Sequence, residues 1–160
     1  MKLNDNLFYL TMKGLEKITP PTTKPYDIHS IEINIKNASG VKIYKPSLVL
    51  GLENTEQVVS SIVPEWLNYR YTDGWIHKSR TKPPSPDWNL YHYRLKDLET
   101  EEEITQLVKL LILKSAKTGK YDLHFSAQGY VDGNIKDDSW IYSDWIEWSF
   151  EILRTDEDFK

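Results

Sequence analysis

The 160-residue chain contains no cysteine, which excludes disulfide scaffolds, thiolate metal sites and cysteine nucleophiles together. Alanine, the strongest helix former, occurs only three times, at Ala38, Ala116 and Ala127. The seven glycines are all isolated, so neither a phosphate-cradling loop nor a G-x-S-x-G elbow can be written down. No apolar run approaches the roughly 18 residues of a membrane span, and mean hydropathy is −0.56. The segment from Met1 to Leu7 lacks the apolar core of a secretory signal, so a cytoplasmic location is the expectation. Neither sign of charge dominates: 20 basic against 24 acidic side chains leave −4, and whole-molecule steering toward nucleic acid is not expected.

What the chain has in quantity is β-forming residues. Ile, Val and Thr number 32 and the aromatics 20, the types that fit a pleated, half-buried surface. Period-2 alternation is plain in several places. Ile31, Ile33 and Ile35 alternate with Glu32, Asn34 and Lys36, and Leu48, Leu50 and Leu52 repeat the pattern, with Gly51 marking a possible bulge position. Tyr91, Tyr93 and Leu95 share a face, as do Tyr121, Leu123 and Phe125, and then Ile146, Trp148, Phe150 and Ile152. Residues 7–12 form a short first strand in this reading, and Asn37 to Gly40 is turn chemistry. Residues 54–89 break the rhythm, with Asp73-Gly74 and the proline cluster 83–86 forbidding helix and ladder alike. The whole, 1–160, reads as one domain with 54–89 as an irregular excursion.

Residues 100–118 support two readings. Thr100 with Glu103 forms a capping box, and Ile104, Leu107, Val108 and Leu111 have helical spacing. Against this, Leu110 to Leu113 is a short continuous apolar run leading directly into the Tyr121 strand. Six other strands at regular spacing favour a strand here; a helix would make the class α+β. The expectation is therefore an all-β, antiparallel sandwich of seven or eight strands.

The Ile-alternating strand closing on Lys36 to Gly40, the Leu-alternating strand, the run Lys117-Thr-Gly-Lys-Tyr121-Asp-Leu123 and the closing aromatic strand together resemble bacterial immunoglobulin-like modules of the adhesion or accessory type. The resemblance covers residues 28–52 and 90–153, without the cysteine pair of antibody domains. It implies a two-sheet sandwich, an accessory or binding role, and a Tyr121 hydroxyl that bonds the corner just before its strand.

Chemistry-bearing residues are sparse. His29, His77, His92 and His124 have no zinc-ligand spacing, and His124 falls on the wet side of its strand, where a surface histidine is expected. The Asp132 to Asp138 loop lacks the calcium-loop spacing; Glu99 and Glu101 to Glu103 read as a solvated turn. No catalytic residue, metal site or cofactor is predicted. The informative stretch is 63–96, where Trp66, Tyr69, Tyr71, Trp75, Trp88, Tyr91 and Tyr93 are interleaved with six basic and three acidic residues. Aromatic and arginine side chains are what interface cores favour. The predicted function is thus a non-enzymatic module docking a protein partner through Arg70, Tyr71, Trp75, Arg80 and Lys82, with Trp145 as a further outward aromatic. The alternative is a small-ligand, nucleotide or glycan-binding sandwich using the same aromatics.

Overall fold

The computed structural model describes residues 8–65, 70–71, 88–143 and 145–154. Seven strands have six or more residues: β1 (Phe8–Lys13), β3 (Tyr26–Asn37), β4 (Tyr44–Glu53), β7 (Trp88–Arg94), β8 (Glu103–Leu113), β9 (Gly119–Tyr130) and β11 (Ile146–Ile152). Four short ones accompany them: β2 (Lys17–Ile18), β5 (Ile62–Pro64), β6 (Arg70–Tyr71) and β10 (Trp140–Tyr142). One helical turn, α1 (Glu56–Val59), is capped by the Thr55 side chain accepting from the Val58 N–H.

The strands form two sheets. The smaller has the order β1-β3-β8-β5, and the larger runs β2-β11-β9-β4-β7-β6, with β10 also on β9. This is an immunoglobulin-like two-sheet arrangement, four strands against seven among the described residues. Pairing is antiparallel except between β11 and β2, which run parallel through Glu151 and Ile152. The chain reaches β2 from β1, and so changes sheets, through Gly14 at φ +150°.

The core lies where the alternation points. Ile31, Ile33, Ile35, Leu48, Leu50, Leu123, Phe125 and Ile152 are fully buried between the sheets, and Tyr91, Tyr93, Ile146 and Trp148 pack against them half-buried. Residues 103–113 are a strand, paired with β3 from Tyr26↔Leu113 to Lys36↔Glu103. The acidic run forms a turn rather than a helix start: Glu102 accepts from the Glu99 N–H and pairs with Lys96, closing the turn before β8.

Two expectations about local chemistry change. Gly51 sits in regular register, opposite His124 and Leu90. The irregularity in β4 lies at Lys45 and Pro46, two residues that face Gly129 alone, with Lys45 at φ +46°. Asn37 is not a turn residue in water but a fully buried staple. Its amide donates to the carbonyls of Val41, Leu98 and Glu99 at 2.7–3.2 Å and accepts from Ser39.

The corner before β9 matches the immunoglobulin-like expectation. Tyr121 Oη donates to the Lys117 carbonyl at 2.6 Å and lies 3.0 Å from Ser61 Oγ, while its ring stacks on Phe150. Among the described residues no helix is long and apolar enough to cross a membrane.

Candidate functional site

Of the residues singled out for docking, Trp75, Arg80 and Lys82 lie outside the described residues. Arg70 and Tyr71 form β6, the edge strand of the larger sheet, in register with Tyr91 and Leu90. Trp145 stands immediately before β11, half-buried, with its indole nitrogen inside the fold. It lies between β10, whose Tyr142 pairs with Gln128, and β11, whose Ile146 pairs with Phe125. Arg70 and Tyr71 thus stand at one edge of the larger sheet, and Trp145 stands just before β11, with β9, β4 and β7 lying between β11 and β6. β1 pairs with β3, and β2 pairs with β11 only at its far end, Glu151 and Ile152, so neither forms a ladder beside Trp145.

The outer face of that sheet differs from a solvated strand surface. Alternation puts Ser47, Val49, Leu90, His92, His124, Ser126 and Gln128 on it. Val49 and Ser126 are fully buried, Leu90 is 1% exposed, and His124 and Gln128 are 5% exposed. His124 is thus not the surface histidine expected. Burial holds its pKa below the ordinary imidazole value, against the opposing pull of Glu147, Asp122 and Glu53. Glu147 Oε2 lies 3.1 Å from His124 Nε2, close enough to support the protonated imidazole. Ser126 Oγ donates to the Ser143 carbonyl, and Ser143 Oγ accepts from the Ala127 N–H. Beside them Trp140 and Tyr142 hold their rings 4.9 Å apart.

The smaller sheet presents the opposite character. The wet face of β3 carries Glu32, Asn34 and Lys36 at one end but Tyr26 and Ile28 at the other, and these are 42% and 52% exposed. They pair with Leu113 and Leu111, and Leu111 pairs in turn with Val63 of β5. All five share the outer face, the last three half-buried. The result is an apolar strip, bordered by Lys109 opposite Ser30 and by the Lys24–Asp27 ion pair. The sequence signal for it is legible in retrospect: Tyr26 and Ile28 fall in the polar phase of β3, and an unbroken run Leu110 to Leu113 has apolar residues on both faces of β8.

No protein-family model and no curated protein matches the chain. Solved structures do resemble it. AvmM, which catalyzes macrocyclization in alchivemycin A biosynthesis, is 12% identical with a TM-score of 0.53, over 93% of this chain and 89% of that one. A cohesin module from the family 33 glycoside hydrolase of Clostridium perfringens is 11% identical with a TM-score of 0.51, over 92% and 98%. A CARDB domain from Pyrococcus furiosus is 10% identical with a TM-score of 0.48, over 92% and 93%. At such identities the likeness is one of fold.

Proposed function

We propose that the protein is a non-enzymatic interaction module that docks a protein partner. The observation that carries this reading is the apolar strip of Tyr26, Ile28, Val63, Leu111 and Leu113 on the outer face of the smaller sheet. Apolar side chains scattered singly over a surface need no explanation, whereas a contiguous group bordered by polar residues marks an interaction site. The strip supplies aliphatic and tyrosine surface for the centre of an interface, with Lys24, Asp27 and Lys109 as its polar rim.

The strip ends at Val63, where the aromatic and basic stretch of the sequence begins. Trp75, Arg80 and Lys82 within that stretch are the proposed anchors that extend the contact, since tryptophan and arginine dominate interface energetics. A cysteine-free chain suits a reducing compartment, and the proposal sets the module in the cytoplasm.

Site-directed photocrosslinking tests this reading. A photoreactive residue at position 28 should give one dominant adduct in host extract, and the same residue at Asp122, on the opposite sheet, should not. Adducts of equal yield from both positions, or none from position 28, would overturn it.

A further inference from the structure

β11 is a long strand with a short neighbour. It pairs with β9 from Ile146 to Ile152, but on its other side β2 meets it only at Glu151 and Ile152. There the Glu151 N–H donates to the Glu16 carbonyl and the Leu153 N–H to the Ile18 carbonyl. Backbone groups alternate in direction along a paired strand, so the N–H and C=O of Glu147 and Ser149 point to this same side. Among the described residues no backbone group bonds them there.

The space beside them is open. Upstream of Lys17 the chain leaves the larger sheet through Gly14, which lies against Ser30 and Ile31 of β3. Its departure leaves a groove of about 390 Å³ along β11, lined by Leu15, Glu16, Glu147, Trp148, Ser149 and Glu151, with lysines at one end. Trp148 is half-buried, and its indole Nε1 donates to the Leu15 carbonyl at 2.7 Å, tying the two segments together across the groove.

Charge is unevenly spread along this edge. Lys17 and Lys120 both flank Glu151, one on β2 and one on β9, and so balance its end. At the open end Glu147, Asp122 and Glu53 all act on His124, which burial keeps from carrying a full charge near neutral pH. Among the described residues none of these three carboxylates is paired with a lysine or arginine. The unpaired stretch of ladder therefore lies where negative charge is in excess.

We propose that this edge receives an extended segment of a protein partner, added as a strand beside Glu147 and Ser149, in which basic and apolar residues alternate. The surface is separate from the apolar strip of the smaller sheet, and the proposal does not rest on that strip. In strand addition, main-chain bonds give affinity and alternate side chains give specificity. One set of side chains would lie on the outer face with Glu147 and Asp122, which calls for lysine or arginine. The other set would lie beside the Trp148 ring, which calls for aliphatic residues. A second copy adding its own β11 edge to edge would set glutamate against glutamate, and like charges disfavour that pairing.

The test is amide NMR and hydrogen exchange on the full chain with a short peptide alternating lysine and valine, and with its counterpart alternating glutamate and valine. The lysine peptide should slow exchange at the Glu147 and Ser149 amides and shift the Trp148 indole, and the glutamate peptide should do neither. Glu147→Lys, at an exposed position, should weaken the lysine peptide about tenfold or more. Ser149→Pro removes an edge N–H that β9 does not use and should weaken it likewise; if that variant fails to fold, Glu147→Lys decides alone. Equal binding of both peptides, full binding by Glu147→Lys, or shifts confined to Ile28 and Leu111 would overturn the proposal. So would the absence of protection at the two amides, and protection that grows with the protein's own concentration would assign the edge to a second copy instead.

Discussion

Tyr121 joins three parts of the fold with one side chain. Its ring fills the core against Phe150, and its hydroxyl holds the Lys117 carbonyl and the Ser61 hydroxyl of the α1–β5 turn. Tyr121→Phe keeps the ring and removes the hydroxyl, leaving a carbonyl and Ser61 short of a partner. The expected loss is about 1–3 kcal/mol in urea unfolding, and an unchanged midpoint would show that the corner bond contributes nothing. His124 sets a pH dependence. Its folded pKa lies below the unfolded value of about 6.5 because burial disfavours the cation, and the same holds for His29. Between those values the unfolded chain binds more protons than the folded one, so stability falls as pH drops below about 6.5 and levels off below the folded pKa. Melting curves from pH 8 to pH 5 should show this slope, reduced in His124→Gln and extended to lower pH in Glu147→Gln, which removes a group that supports the charged form. A flat profile would contradict the assigned burial. Of these residues, Tyr121 was legible because it opens an alternating strand after glycine. His124, Ser126 and Gln128 were not, since alternation tells which face a residue occupies and not whether the chain elsewhere covers that face.

At the level of elements, period 2 located β3, β4, β7, β9 and β11, and the contested residues 103–113 show where local signals reach their limit. Their helical spacing is genuine, but eleven residues of ladder with β3 and the burial of Val108, Leu110 and Ile112 outweigh a cap and a few tenths of a kcal/mol of propensity per residue. The short strands β2, β5 and β6 were invisible because two or three residues carry no period; they exist through their partners. The crossing between sheets depends on Gly14. At φ +150° an added Cβ would lie 2.9 Å from the Ser30 carbonyl oxygen and 3.1 Å from Ile31 Cα, both backbone. Gly14→Ala should therefore cost about 1–3 kcal/mol, read as a lower denaturation midpoint. If the variant is as stable as wild type, β1 does not pass to β2 by this route.

For the whole molecule, the two outer faces part in character: one sheet exposes an apolar strip, and the other buries a polar column. Composition alone excluded several classes of protein and pointed to a β-sandwich, and the topology agrees. The sequence reading puts docking in the aromatic, basic stretch after Val63, most of which lies outside the described residues, whereas the apolar strip is visible in the register of β3 against β8. Exposed positions far from core features tolerate substitution within about 0.5 kcal/mol, while residues central to an interface cost 2 kcal/mol or more of binding when truncated. The measurement that meets the central claim most directly is therefore a paired one on Tyr26→Ser/Ile28→Lys: thermal stability, and recovery of the protein crosslinked at position 111. The account predicts an unchanged melt with the partner lost. A variant that keeps its partner at full yield, or one that unfolds while Trp75→Ala/Arg80→Ala keeps both fold and partner, would contradict it.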